Sequence, residues 1–263
     1  MSFHPRFTIV TISFNAEKCI ERTIVSVIQQ SYNNVEYIIV DGGSRDGTMR
    51  IVEKYKENIN HYISEPDKGI YDAMNKGIKL ATGDYLIFMN ADDVFADNNV
   101  LQKVADQLKS DSDIVYGNWR TITEYGIFDN KPAPLSTLDK NFGLSHQAIF
   151  AKISLLKQEP FDLQYKYAGD YNMISSYYLS GKKFQYVDVE IAEISINSGA
   201  TFNHFEKSVK EHYQILAKRG LGSPLEMRWL ITRKRVVRFL KTCLPKTISN
   251  RLFRMISKYY KVM

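Results

Sequence analysis

The stretch from Ser64 to Val94, SEPDKGIYDAMNKGIKLATGDYLIFMNADDV, constrains the fold more than any other part of the chain. A segment of helical period, Ile70 to Ala81, leads through Asp84 into an unbroken apolar run, Tyr85-Leu86-Ile87-Phe88-Met89. The run stops abruptly at a polar tip, Asn90-Ala91-Asp92-Asp93. An apolar run bounded by a helix and a turn reads as a parallel strand buried on both faces. Ligands in open α/β sheets bind just beyond the carboxyl ends of such strands. Two adjacent carboxylates there are hard oxygen ligands for Mg²⁺ or Mn²⁺, usually shared with substrate phosphates. The run points to an enzyme that handles a metal-bound phosphate compound.

The rest of the first half repeats the pattern. Phe7 to Phe14 is strand-like, and Asn15 reads as the cap of a helix over Glu17 to Gln30, with Ile20, Ile24, Val27 and Ile28 on one face. Val35 to Val40 is a second strand ending in Asp41. After the loop Gly42 to Gly47 come a helix over Thr48 to Lys56 and a short strand, His61 to Ser64. Repeated βαβ units imply a mostly parallel sheet covered by helices. The second half is less regular: a helix over Asn98 to Lys109, strands at Asp113 to Trp119 and Ile122 to Phe128, and a break at Lys131 to Pro134. Ser145 to Ala151 is strand-like, Asp170 to Leu179 helical, and Lys183 to Ser195 alternates like one or two strands. From Glu206 onward the chain reads as helical, broken at Gly220 to Pro224 and at Pro245.

Charge is segregated. From Met227 to Met263 there are eleven Lys/Arg residues and no Asp or Glu, which leaves 24 basic against 29 acidic residues elsewhere, a net of −5. Trp229, Val236, Phe239, Phe253 and Tyr259 interleave with these charges, as in an interfacial segment on an anionic membrane. An amphipathic helix pair packed on the main domain, or a nucleic-acid surface, would also carry such charge; the absence of acids favours the membrane over both. The two cysteines, Cys19 and Cys243, form no disulfide or zinc motif. No signal peptide is read at the N-terminus, and no apolar stretch approaches the roughly 20 residues of a membrane span. The expected location is the cytoplasm, peripherally on the inner face of the cell membrane.

The loop VDGGSRDGT lets the backbone approach a ligand closely, and Asp41 can accept hydrogen bonds from a base or ribose. Taken alone it is equally an Asp-Gly turn before a capped helix. It lacks the Lys-Ser/Thr of a Walker loop and the spacing of a dinucleotide fingerprint, which argues against ATPase and redox chemistry.

Together, TISFNAEKCIERTIVSVIQQSY, VDGGSRDGT and GIYDAMNKGIKLATGDYLIFMNADD resemble the donor-binding half of bacterial family 2 glycosyltransferases, from Phe7 to Asp93 and more loosely to about Ser198. The resemblance implies the α/β GT-A fold, a Rossmann-like mixed, mostly parallel sheet flanked by helices. It would occupy residues 1–205, followed by a basic helical extension over 206–263. It places Thr11, Ser13, Asn15 and Asp41 around the nucleotide, with Lys68, Asp72 and Asn75 approaching the same pocket. Asp72 and Lys76 are also readable as a solvated helix face. Asn90-Ala91-Asp92 stands where the family has Asp-x-Asp, so Asn90 is assigned to the ribose, Asp92 to the metal, Mg²⁺ or Mn²⁺, and Asp93 to a helper role or to supporting the ligand from behind. Asp170, in YAGDY, fits the family's general base, although an Asp there is also a favoured N-cap; Asp162 is the runner-up and reads as a turn residue. His146, in SHQ, is placed on the acceptor side or in a structural role, and Asn197-Ser198-Gly199 as a closing loop.

The resulting expectation is an inverting glycosyltransferase that uses a nucleotide sugar donor and a lipid-linked saccharide acceptor in surface polysaccharide synthesis. Transfer to a polyprenyl phosphate, and a catalytically inactive nucleotide-sugar sensor suggested by Asn90, are the alternatives. A nucleotide-sugar pyrophosphorylase would need a Gly-rich start followed by Lys, which this chain lacks.

Overall fold

Strand β1, Phe7–Ser13, is the centre of the molecule and every one of its residues is buried. It lies parallel to β2, Val35–Asp41, on one side and to β4, Tyr85–Phe88, on the other, while β3, His61–Ser64, continues the sheet beyond β2. Side chains alternate across a strand. Phe7, Ile9, Tyr37, Ile39, Tyr85 and Ile87 therefore enter one apolar layer, and Val10, Ile12, Ile38, Val40, Leu86 and Phe88 the other. Burial on both faces is why these strands read as continuous apolar runs.

Helices α1 (Ile20–Ile28), α2 (Thr48–Lys54) and α4 (Val100–Gln107) bury apolar residues in the first layer. Helices α3 (Ile70–Leu80), α5 (Ile153–Gln158) and α6 (Gly169–Leu179) cover the second. Helix α3 sits tightly on β1: a Cβ on Gly77 would come within 2.5 Å of a Val10 methyl.

The computed structural model describes residues 4–123, 126–195 and 204–243, and these include five further strands, β5 (Val94–Phe95), β6 (Ile114–Thr123), β7 (Gly126–Asn130), β8 (Ile149–Lys152) and β9 (Phe184–Ser195), in one nine-stranded sheet ordered β3-β2-β1-β4-β8-β6-β9-β5 with β7 on β6. Beyond β4 the sheet turns antiparallel. Strand β8 runs against β4 and β6, β6 is parallel to β9, and β5 runs against β9. The mixed sheet flanked by helices is the architecture expected from the sequence.

Local differences have local reasons. Helix α1 begins three residues after its expected start, because Asn15 takes a left-handed φ of 49° and its amide is bound to the β2 loop instead of capping. Strand β6 runs on to Thr123, past the end expected at Trp119, and the second hairpin strand, β7, is Gly126–Asn130 where Ile122 to Phe128 is expected. Strand β5 has only two residues, too few to leave a periodic signal.

The C-terminal segment forms α7, Phe205–Lys218, and α8, Pro224–Cys243. The break between them falls where the sequence places it, with Gly220 at a φ of 71° and Pro224 opening the next helix. Ile215 and Leu216 of α7 are buried against Tyr165, Ala168 and Tyr171, so α7 packs directly on α6. No helix among the described residues is long and apolar enough to cross a membrane. Pro245, the basic residues from Lys246 to Lys261, and Asn197-Ser198-Gly199 lie outside the described residues.

Candidate active site

The carboxyl ends of β1, β2 and β4 meet at one edge of the sheet. Asp41 ends β2 there, fully buried. Its Oδ1 accepts from the hydroxyls of Ser13 (2.9 Å) and Ser44 (2.5 Å), and its Oδ2 from Ser64 Oγ (2.7 Å) and the amides of Gly43 (3.1 Å) and Ser44 (2.8 Å). Burial pushes this carboxyl upward in pKa, but the Ser44, Ser64 and Ser13 bonds outweigh it and hold it below the ordinary value. A saturated, inward-facing carboxylate shapes the loop. Asn15 joins the same knot: its amide donates to Ser44 Oγ (2.7 Å) and its Oδ1 accepts from the Arg45 amide (3.0 Å). Thr11 is fully buried with its hydroxyl 3.0 Å from that of Tyr37, so it does not line an open pocket. Phe14 faces outward, 63% exposed, directly after β1 and beside Gly42.

On the next loop Lys68 is exposed, and its amide donates to Asp72 Oδ2 (3.0 Å), so Asp72 closes the first turn of α3. The Lys76 ammonium stands 3.9 Å from the same oxygen. Asn75 spends its amide on the backbone of Phe161, donating to its carbonyl and accepting from its N–H, both at 2.9 Å. Lys68 is thus the member of this group whose side chain reaches solvent, and Asn75 pins the 161 loop.

After β4, Asp92 adopts a φ of 89°. Its amide donates to Thr23 Oγ1 (3.0 Å), its carbonyl accepts from Arg22 (2.6 Å), and its carboxylate lies 3.5 Å from Arg22 Nε and remains 23% exposed. Asp93 turns the other way. It is 5% exposed and accepts from Gln147 Nε2 (3.0 Å), and burial above all pushes its carboxyl up to about 6. It packs into the core behind the Asp92 turn, in the position of a group that supports its neighbour from within.

Asn90 joins this tip to the second half of the chain. Its Nδ2 donates to His146 Nε2 (2.9 Å), which leaves the imidazole proton on Nδ1, and that nitrogen donates to Asp170 Oδ2 (3.2 Å). The other oxygen of Asp170 accepts from Tyr71 OH (3.1 Å) and from the Tyr171 amide (2.8 Å). Asp170 is 18% exposed and lies inside the first turn of α6, after the N-cap Ala168, instead of capping the helix itself. Burial raises its pKa, but the His146 bond above all, with the Tyr171 amide and Tyr71 hydroxyl, holds it below the ordinary carboxyl value. It is an ionised acceptor at neutral pH. Asp162, the other candidate base, is an exposed turn residue that accepts from the Gln164 amide (3.0 Å).

A metal here would find few protein ligands. No group of three His, Cys, Asp or Glu suited to one occurs among the described residues. The buried Oδ1 of Asn90 has no hydrogen-bond partner and lies two residues from the Asp92 carboxylate. One carboxylate and one amide oxygen fit a hard divalent ion that takes its remaining ligands from phosphates and water.

Tyr71, Gln147, Arg22 and Phe14 went unread as site residues in the sequence. Tyr71 sits in a helix whose apolar spacing marks it as core, and only its hydroxyl, bonded across 99 residues, reveals the role. Phe14 had a signal: an aromatic directly after a buried strand, at its polar end.

The model of the family described as Glycosyl transferase family 2 matches residues 8–161. A PGL/p-HBAD biosynthesis glycosyltransferase of Mycobacterium bovis is 28% identical over 249 residues, 89% of this chain and 95% of the relative. The UDP-Glc:alpha-D-GlcNAc-diphosphoundecaprenol beta-1,3-glucosyltransferase WfgD of Escherichia coli is 30% identical over 169 residues, 62% of this chain and 66% of that protein. Among solved structures, S. aureus TarS 1-349 in complex with UDP aligns with a TM-score of 0.64 at 20% identity, covering 80% of this chain and 65% of that one. The mannosyltransferase PcManGT from Pyrobaculum calidifontis, in complex with GDP-Man and Mn²⁺, aligns at 0.65 and 17%, covering 82% and 64%. The chain thus spans a little under two thirds of these solved chains, and at such identities they share its fold.

Proposed function

The chain belongs to glycosyl transferase family 2, and on that premise we propose that it moves a sugar, with inversion, from a nucleoside diphosphate donor to a hydroxyl of a lipid-linked saccharide. It is a glycosyltransferase of polysaccharide or glycolipid biosynthesis. The observation that carries the finer reading is the chain Asn90–His146–Asp170, with steps of 2.9 and 3.2 Å. It ties an ionised base to the tip that would hold the diphosphate. In this mechanism Asp170 takes the proton of the acceptor hydroxyl as its oxygen bonds the anomeric carbon from the face opposite the diphosphate. The bond from that carbon to the diphosphate breaks in the same displacement, and the proton remains on Asp170. His146 and Tyr71 hold the carboxylate on course. Asp92, with the Asn90 amide oxygen, would hold Mg²⁺ or Mn²⁺, whose charge when bound offsets that of the leaving diphosphate. Phe14 offers an apolar face to a nucleobase beside the knot of Ser13, Asn15 and Asp41. Lys68 would meet the phosphates.

The acceptor side is read as an anionic membrane. Leu225 (75% exposed), Trp229 (58%) and Val236 (50%) lie along one face of α8, and Arg233 is 5.2 Å from the Trp229 ring. Arg235 is committed to Glu206 at 2.6 Å, so it is not available to lipid. Peripheral attachment at the inner face of the cell membrane follows from this reading.

A screen of UDP-, GDP- and dTDP-sugars for Mn²⁺-dependent thermal stabilisation, followed by nucleotide release from the stabilising donor, tests the proposal. Stabilisation without any release, even with saccharide acceptors, would favour the inactive sensor. Trp229→Asp should reduce binding to phosphatidylglycerol vesicles and leave donor stabilisation intact.

A further inference from the structure

The turn that presents Asp170 is also held from outside, by the C-terminal segment. The carboxylate of Glu211, on α7, accepts from three consecutive backbone amides: Lys166 (3.0 Å to each oxygen), Tyr167 (2.7 Å) and Ala168 (3.0 Å). These residues run directly into α6, whose N-cap, Ala168, supplies no side-chain cap of its own. A carboxylate gripping several amides makes strong, charge-assisted bonds with little freedom of direction.

On the inner side the turn lies against Tyr71. A Cβ on Gly169 would come within 2.8 to 3.0 Å of the Tyr71 ring, whose hydroxyl is bonded to Asp170. The first turn of α6 is therefore caught between Tyr71 and His146 on one side and Glu211 on the other. Helix α7 has separate anchors for its own packing. Ile215 and Leu216 are buried, and Arg219 donates to Ser175 Oγ (2.8 Å) and Ser176 Oγ (3.1 Å) farther along α6.

We propose that Glu211 is a positioning residue for the general base, fixing the backbone of 166–168 and with it the placement of Asp170. The inference rests on the reading of Asp170 as the base. Displacing a reacting group by about 1 Å can cost on the order of a hundredfold in rate.

The test uses the full chain and compares Glu211→Gln, Arg219→Met and Asp170→Asn. The glutamine keeps the size of the side chain but turns one acceptor into a donor that faces amide protons. Two quantities are read: hydrogen–deuterium exchange of the amides at 166–171, and UDP release from UDP-GlcNAc with Mn²⁺, per folded molecule. Glu211→Gln should speed exchange at 166–171 about tenfold and lower kcat about tenfold to a hundredfold, with KM for UDP-GlcNAc within about twofold. Arg219→Met should lower the melting temperature and leave kcat near wild type. Retention of either the exchange protection or the turnover in Glu211→Gln overturns the proposal. If Glu211→Gln fails to fold, Glu211→Asp, which keeps the charge but shortens the reach, is judged by the same two readouts. Asp170→Asn separates the two claims. If it keeps turnover, the base assignment itself has failed. If it is inactive while Glu211→Gln is fully active, only the positioning role has failed.

Discussion

At the ends of β1 and β2, Ser13, Asn15, Asp41, Ser44 and Ser64 bond to one another and to adjacent backbone, five donors converging on the Asp41 carboxylate alone. Around Asp170 two side chains donate, one bond each, Tyr71 from α3 and His146 from the segment before β8. The donor corner is a many-bonded knot where the neighbouring parallel strands β1, β2 and β3 end side by side. The base corner is a meeting point of separate pieces, one bond each. Damage at the first should appear as lost stability and donor binding, whereas damage at the second should appear as lost turnover in a folded, donor-binding protein.

The largest expected effect is at the base. Asp170→Asn should fold and bind the donor nearly as wild type, and lose about a thousandfold in kcat. Equal losses in donor affinity and kcat would erase the contrast between the corners. Next comes Asp92→Ala, for which we expect a fall in turnover on the order of a hundredfold, with loss of the Mn²⁺-dependent part of donor stabilisation. Wild type in EDTA should behave in the same way, and full activity in chelator would remove the ion from the mechanism.

Asp41→Asn moves the contrast from rate to stability. The amide can accept only part of what the carboxylate accepts and places its own N–H groups among donors, at a cost of about 2 kcal/mol, seen in chemical denaturation. Unchanged stability with weakened donor binding would mean that Asp41 meets the ligand after all.

The smallest effect concerns the helix that backs the base. His212 of α7 packs on Tyr171 with ring centroids 4.1 Å apart and planes tilted by 31°, and donates from Nε2 to the Lys140 carbonyl (2.8 Å). Burial holds its pKa below the ordinary value of 6.5. The unfolded chain therefore takes up this proton at a higher pH than the folded chain, and stability is lost as pH falls below that range. His212→Gln should flatten the decline measured from about pH 7.5 to about pH 5.5, and an unchanged slope would assign it to other groups.

The same contrast explains what could be read in the sequence. The runs Phe7 to Ser13, Val35 to Asp41 and Tyr85 to Met89 announce strands because both faces are buried, and the polar residue ending each run marks the sheet edge where the candidate site lies. The identity of Asp170 was legible as a carboxylate before a helical run. Its contacts with His146 and Tyr71 were not. His146 looks like a lone histidine until β8 runs antiparallel to β4 and carries it beside Asn90. The inward turn of Asp41 was hidden for another reason, since a buried and an exposed Asp at the end of a strand are the same letter. Asn15 misled because its side chain suits a helix cap equally well as a left-handed turn.

The central claim is that His146 acts through Asp170, as part of one base assembly. A double-mutant cycle in kcat, using the nucleotide sugar selected by the donor screen, addresses it directly. His146→Ala alone should cost about tenfold to a hundredfold, and added to Asp170→Asn it should cost almost nothing more, because residues that work as a unit are not additive. If the two losses instead multiply, His146 works independently of Asp170 and the assembly described here is wrong.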